Sequence, residues 1–259
     1  MQETSASIEI IALPAFSDNY LWLIRQAQFA LVVDPGDAAV IAQALASANL
    51  QLKGILLTHH HADHVGGAMA LQQHWQCPVY APDSAHAAYQ MPQVTRVKQG
   101  DQLTFEHFSG LYGEVIALPG HTLDHVAYYL NQQHLFSGDV LFGAGCGRLF
   151  EGTPAQMFAS LQTIAALPLE TQIYPAHEYT AHNIAFAQTV DPENMDLQQR
   201  AQTTASLRAR GLPTLPTALK LELATNPFLR CEALSKQPAF MDWSAIDVFT
   251  ELRARRNLF

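Results

Sequence analysis

Residues 58–64 read THHHADH, which places four histidines and an aspartate within six consecutive positions directly after the apolar run GILL (54–57). Imidazole nitrogens and carboxylate oxygens are the donors that zinc-type ions take. In an extended backbone side chains alternate, so His59, His61 and Asp63 share one side and His60 points away. His64 turns inward only if the chain bends into a helix opened by Gly66-Gly67. Three further candidates occupy the same architectural position. His121 follows VIALPG, Asp139 follows LFSG and His177 follows IYPA. Taken singly, His121 reads as a helix cap and Asp139 as a turn residue. Open α/β sheets set their sites at strand ends, and four strand ends that all supply ligand types outweigh those separate readings.

The number of candidates decides the nuclearity. A catalytic zinc takes three protein ligands and keeps one position open. Seven candidates (His59, His61, Asp63, His64, His121, Asp139 and His177) are too many for one such ion. They suit two ions about 3.5–4 Å apart that share a carboxylate, activate a water and polarise a carbonyl. His and Asp donors accept zinc, iron or manganese, so the expectation is two divalent ions, zinc foremost.

Positioning these ligands requires strands. IEIIAL (8–13), YLWLI (20–24) and FALVV (29–33) are short apolar runs, the last stopped by the turn signal Asp34-Pro35-Gly36. CPVY (77–80), GEVIALP (113–119), VAYYL (126–130), HLFSG (134–138) and TQIYP (171–175) continue the series. Helical stretches fall at 38–50, 66–75 and 154–167. After His177 strand signals fade, and 179–190, 196–210 and 244–257 read as helices. The expected organisation is a β-rich catalytic domain over 1–176 and a helical domain over 177–259. The GAGCGR segment (143–148) lacks the spacing and lysine of a phosphate loop and reads as a flexible loop.

Composition bounds the rest. With 49% hydrophobic and 14% charged residues in 259, the chain has enough apolar material for a substantial core. The formal charge of −9 repels polyphosphates and no apolar run approaches the length of a membrane span, so neither nucleic acid nor membrane is expected as partner. Cys77, Cys146 and Cys231 are odd in number and form no CxxC pair, which reads as reduced thiols in a cytoplasmic protein. MQETSASIEI carries neither a basic n-region nor an apolar core of a signal peptide. His60, His74, His86, His107, His125, His134 and His182 read as ordinary histidines, with His125, four residues after His121, the one placed to support a ligand.

THHHADH with His121, Asp139 and His177 resembles the metallo-β-lactamase superfamily. Within it the chain is similar to the glyoxalase II (hydroxyacylglutathione hydrolase) family, through GDVLFGAGCGRLFEG (138–152), PAHEYT (175–180), ATNPFLR (224–230) and the helical tail. The resemblance implies an α/β fold, an αβ/βα sandwich of metallo-β-lactamase type with a smaller C-terminal helical domain. It implies hydrolysis of glutathione thioesters such as S-D-lactoylglutathione by a monomeric enzyme, with Asp63 and Asp139 as the catalytic carboxylates. It assigns His59, His61 and His121 to one ion, Asp63, His64 and His177 to the other, and Asp139 to both. Glutathione contacts map onto Arg148, Tyr179, Arg253 and Arg256. Two positions depart from the family pattern: Phe150 stands where a tyrosine is common, and Arg256 where a lysine is. A thioester releases a thiolate whose conjugate acid has a pKa near ~8.5, so the leaving group needs little general-acid help.

Helical geometry selects the arginines independently. Ser244 and Asp247 are spaced as a capping box, Ile246, Phe249 and Leu252 form an apolar stripe, and Arg253 and Arg256 share a face. Arg255 is rotated by about 200° from Arg253 and reads as solvated. Two rivals stand beside the hydrolase. A persulfide dioxygenase uses a single iron, and a non-catalytic binding module would close its metal sites. Metal stoichiometry and open coordination positions separate all three.

Overall fold

The computed structural model describes residues 7–259 and divides into two compact units. Most of the segment read for a signal peptide lies outside the described residues. The first unit runs to Ala117 and includes Asp124–Gly138, and the second comprises Leu118–Leu123 and Asp139–Phe259. Among the described residues no helix is long and apolar enough to cross a membrane.

The first unit opens with β1 (Glu9–Ala15), β2 (Asn19–Gln26) and β3 (Phe29–Val33), joined as antiparallel neighbours. α1 (Ala38–Ser47) then crosses to β4 (Gln51–Leu56), which lies parallel to β3. The single-turn α2 (Ala62–Val65) and α3 (Ala68–Trp75) lead to β5 (Val79–Pro82), and β6 (Val94–Val97) completes a sheet in the order β1-β2-β3-β4-β5-β6. Asp37 starts α1 by accepting from the amides of Ala39 and Val40, satisfying donors that no helical carbonyl can reach. Ile41 and Leu45 of α1 and Leu71 of α3 are buried in the core with Leu23, Val32 and Ile55 of the sheet. β7 (Gln102–Thr104), β8 (Tyr112–Ala117), β9 (Val126–Leu130) and β10 (His134–Gly138) follow as an antiparallel series. Buried Tyr128 of β9 donates its hydroxyl to the Leu57 carbonyl at 2.8 Å, tying this series to the end of β4.

The second unit holds the short hairpin β11 (Leu141–Phe142) and β12 (Gly145–Cys146), then α4 (Pro154–Ala165), β13 (Gln172–Pro175), α5 (Thr180–Val190) and α6 (Met195–Ala209). β14 (Thr217–Ala218) pairs antiparallel with β13 and is followed by α7 (Leu219–Thr225), α8 (Cys231–Leu234) and α9 (Ala245–Leu258). The predicted capping box of Ser244 and Asp247 is present, and Phe249 and Leu252 of the expected stripe are buried, together with Val248, whereas Ile246 is only half-buried. A buried Arg200–Glu222 ion pair joins α6 to α7 and is completed by Thr217 and Thr225. Buried charges are tolerated when their remaining donors and acceptors are satisfied in this way.

Residues 143–148 are not the flexible loop that their glycines implied. Asn183 donates to the Gly143 carbonyl at 3.0 Å, Asn226 to the Gly145 carbonyl at 3.0 Å, and Glu222 accepts from the Ala144 amide at 2.9 Å. The glycines there reflect close approach: a Cβ on Gly147 would overlap the Asp139 carbonyl oxygen. A helix does follow Gly66-Gly67, but a single helical turn already runs from Ala62 to Val65, overlapping THHHADH. Asp63 and His64 therefore take their direction from a helical turn, not from strand alternation.

Candidate metal centre

In the first unit the ligand segment leaves β4 and enters α2. His59 Nε2 and His61 Nδ1 lie 3.0 Å apart, and His64 Nε2 lies 3.5 Å from Asp63 Oδ2. Two donors each ~2.0–2.1 Å from one tetrahedral ion are separated by about 3.3 Å, so both spacings fit a shared ion. His60 faces elsewhere. Its Nδ1 bonds Asp124 at 3.2 Å and its ring stacks on His86 at 4.0 Å.

One carboxylate aims two of these imidazoles. Asp34 is only 3% exposed. Its Oδ1 accepts from the Thr58 amide at 2.8 Å, and its Oδ2 accepts from the Thr58 hydroxyl at 2.7 Å and from His64 Nδ1–H at 2.9 Å. Because the Thr58 hydroxyl donates to Asp34, its oxygen accepts from His59 Nδ1–H at 3.0 Å. In both rings the proton thus sits on Nδ1 and Nε2 is the unprotonated nitrogen, the form a metal requires. Asn19 steadies Asp63 by donating to its Oδ2 at 3.0 Å. Gly36 lets the turn after Asp34 press against α2, since a Cβ there would overlap the Asp63 carbonyl. Sequence reading took Asp34 as a turn signal only, although it follows FALVV just as the ligands follow their own strands. Thr58 opened the THHHADH segment without a role of its own, and nothing in the sequence marked Asn19.

In the second unit the three candidates converge on Asp139. Its Oδ2 lies 3.4 Å from His121 Nε2, and its Oδ1 lies 3.4 Å from His177 Nε2. The carboxylate therefore offers one oxygen beside each imidazole. His121 donates Nδ1–H to the Arg148 carbonyl at 2.9 Å, which again makes Nε2 the unprotonated nitrogen. His177 stacks on Tyr179 with ring centroids 4.7 Å apart and planes within 4°, and Phe142 meets its ring edge-on at 5.8 Å.

A cavity of about 370 Å³ opens beside His121 and Asp139. Arg148, Phe150, Tyr179, Arg253 and Arg256 line it. Arg148 is exposed, Arg256 is half-buried, and Phe150 is 63% exposed with its ring edge-on to His121 at 5.2 Å. Arg256 donates to Asn183 Oδ1 at 3.1 Å. Burial, and then the neighbouring Arg253 and Arg148, hold its pKa below the usual arginine value. Arg253 is deeper, at 4% exposed, and donates to the Cys146 carbonyl at 2.7 Å and to Asn257 at 3.1 Å. Arg255 is exposed and pairs with Glu251 one turn back. Sequence reading did not single out Asn183 or His182, although both line the same cavity. His125 is buried and stacks on His59 at 4.9 Å. Cys77, Cys146 and Cys231 are all free thiols and all buried.

Two family models match consecutive parts of the chain: "Metallo-beta-lactamase superfamily" over residues 16–177 and "Hydroxyacylglutathione hydrolase C-terminus" over 178–259. A hydroxyacylglutathione hydrolase of Methylobacillus flagellatus is 49% identical, covering 97% of this chain and 99% of its own. Another, of Dechloromonas aromatica, is 53% identical over 86% of this chain and 82% of its own. A protein crystallised in a di-iron-bound form aligns with a TM-score of 0.60 and 28% identity, covering 85% of this chain and 100% of that one.

Proposed function

The chain belongs to the hydroxyacylglutathione hydrolase family of the metallo-β-lactamase superfamily, and from that premise we propose that it hydrolyses glutathione thioesters of 2-hydroxy acids, S-D-lactoylglutathione among them, to glutathione and the free acid. Its fold is the metallo-β-lactamase fold of mixed α/β sheets with a C-terminal helical domain. The catalytic part is taken as 1–176 and the substrate-binding part as 177–259.

The observation that carries the dinuclear reading is Asp139, with one oxygen beside His121 and the other beside His177 at equal distances. A carboxylate so flanked suits two ions, and the pairs His59–His61 and Asp63–His64 offer a matching pair of donor sets. Following the family resemblance, His59, His61 and His121 are proposed for one ion, Asp63, His64 and His177 for the other, and Asp139 for both. The ions, when bound, supply an activated water and an electrophile for the thioester carbonyl; zinc is the proposed metal, with iron and manganese accepted by the same donors.

The chain's own groups bind and orient the substrate. Glutathione carries two carboxylates, and Arg148, Arg253 and Arg256 bring positive charge to one cavity of a protein whose formal charge is −9. Burial and then the charges of Arg253 and Arg148 hold the Arg256 pKa down, and a carboxylate entering the cavity offsets both by favouring the charged guanidinium. Tyr179, held against His177, presents a hydroxyl to the peptide. Phe150 offers an apolar edge but no hydroxyl, so one polar contact common in the family is missing here. The three free thiols support a cytoplasmic enzyme and the acidic net charge disfavours nucleic acid; no membrane partner is proposed, and a monomer is expected on gel filtration.

The test is loss of thioester absorbance with a 2-hydroxyacyl glutathione substrate, with and without a chelator, alongside elemental analysis of the protein. Two ions per chain and chelator-sensitive hydrolysis are expected. One iron per chain with oxygen uptake would replace this reading by the dioxygenase, and metal without turnover would replace it by the binding module.

A further inference from the structure

We propose that Phe16, in the turn between β1 and β2, is an apolar wall for the acyl group of the substrate, and that the chain prefers 2-hydroxyacyl thioesters with a bulky apolar substituent. The proposal rests on the thioesterase reading above and adds to it the class of acyl group. Asn19 opens β2 and donates to Asp63 Oδ2 at 3.0 Å. The turn therefore borders a carboxylate proposed as a metal ligand. Phe16 meets the same helical turn at a second point. A Cβ on Gly36 would overlap the Asp63 carbonyl and come within 3.0 Å of Phe16 Cε2. The aromatic ring and the Asp63 backbone thus close on one spot, where only glycine fits.

Exposure alone would not single Phe16 out. It is 60% exposed, and isolated apolar side chains on a surface are ordinary. Its backbone is not ordinary. The φ of +52° lies in the left-handed region, where a bulky side chain is disfavoured and glycine or asparagine is at ease. Among the described non-glycine residues with positive φ, Phe16 is the only aromatic one. The chain accepts a backbone cost here to hold an apolar ring out in solvent beside Asp63. Strain kept at such a place points to function, since folding gains nothing from it.

The chemistry of a thioester says what the ring would meet. Its carbonyl carries the glutathione sulfur on one side and the acyl substituent on the other. Arg148, Tyr179, Arg253 and Arg256 are the polar groups proposed for the peptide. Phe16 offers neither a charge nor a hydrogen bond, so it suits the acyl side.

The test measures kcat/KM for the glutathione thioesters of 2-hydroxyacetate and 2-hydroxy-3-phenylpropionate. Wild type, Phe16→Asn and Phe16→Leu are compared, with the metal content and Tm of each. Asparagine is at ease in the left-handed region and removes the ring, whereas leucine keeps an apolar side chain. Wild type is expected to favour the phenyl substrate. In Phe16→Asn the ratio of the two kcat/KM values should fall about tenfold, the scale of one apolar contact in a pocket. Metal content and Tm should be no lower than in wild type, and Phe16→Leu should keep most of the preference. If the ring only braces the turn, Phe16→Asn will lose metal or Tm and slow both substrates alike, and that unchanged ratio overturns the proposal. A wild type that favours the 2-hydroxyacetyl thioester overturns it as well, while the thioesterase reading stands. If wild type hydrolyses neither substrate, the thioesterase reading itself fails and takes this proposal with it. Should Phe16→Asn not fold, Phe16→Gly, equally at ease with this φ, decides by the same ratio.

Discussion

In the first unit four candidate ligands come from residues 59–64, whereas in the second they come from positions 121, 139 and 177. The dense set is aimed by side chains, with Asp34 and Thr58 holding His59 and His64 in one buried relay. The scattered set is aimed by backbone and by ring contacts: a carbonyl for His121, Tyr179 and Phe142 for His177. Ligands adjacent in sequence can share one orienting carboxylate because a short segment brings them past it together. Ligands drawn from distant strand ends have no common neighbour in sequence, so each is held locally and the burden passes to loop geometry. The dense set should therefore be vulnerable at one side chain, and the scattered set at its shared ligand.

Asp139 is where the scattered set should break most completely. Asp139→Ala removes a donor from beside both His121 and His177, and metal-borne charge stabilisation is worth several kcal/mol. A drop in kcat of about a thousandfold or more is expected, with metal content lowered at both positions by elemental analysis. Full occupancy and normal turnover would remove Asp139 from the site.

Asp34→Ala tests the dense set at its single point of support. Loss of a group orienting a metal-bound imidazole costs about 10–100-fold in metal affinity, and here two imidazoles lose it together. A competition titration against a chromophoric chelator reads the effect. Weakening at only one ion would mean that the Thr58 link to His59 carries no orientation.

Arg256→Ala lies outside both ligand sets and sharpens the comparison by touching neither. A charge-assisted hydrogen bond is worth about 1.5–3 kcal/mol, so KM for the glutathione thioester should rise about ten- to a hundredfold at constant metal content. Arg255→Ala should stay within about twofold of wild type, since its exposed pair with Glu251 contributes little. The smallest effect is expected at His60, which lies within the dense segment yet bonds Asp124. His60→Ala should bind both ions nearly as wild type does; loss of one would show that membership of THHHADH, and not facing, decides ligation.

Much of this was legible in the sequence, for identifiable reasons. β9 and β10 coincide with VAYYL and HLFSG because a turn residue bounds each apolar run. The capping box of α9 was visible because its two members must stand three residues apart. The ligands themselves announced their type. What escaped was everything that acts through tertiary contact. β7, β11, β12 and β14 are two or three residues long, too short for any period to register. Asp34 looked like the turn residue it also is. Asn183 and Glu222 are ordinary helix residues, and Asn226 the residue that ends α7, until the carbonyls and amide of residues 143–145 come within reach. Glycine spacing correctly marked that segment as unusual, but close approach of backbones and mobility leave the same mark in a sequence.

The burial of all three thiols bears on how the protein lives with its own product. Each turnover of the proposed reaction liberates a thiol, and that thiol circulates with its disulfide, which exchanges with any accessible thiolate. Burial pushes the Cys77 thiol up to about 11 and Cys231 up to about 12, and it raises Cys146 despite the opposing charge of Arg253. Thiols raised in this way stay protonated near neutral pH, so the nucleophile needed for exchange is scarce as well as hidden. Cys146 lines the very cavity proposed for glutathione, yet its sulfur is kept as an inert packing atom. A catalyst immersed in thiol–disulfide traffic is thereby insulated from it, and its activity need not track the redox poise of its surroundings.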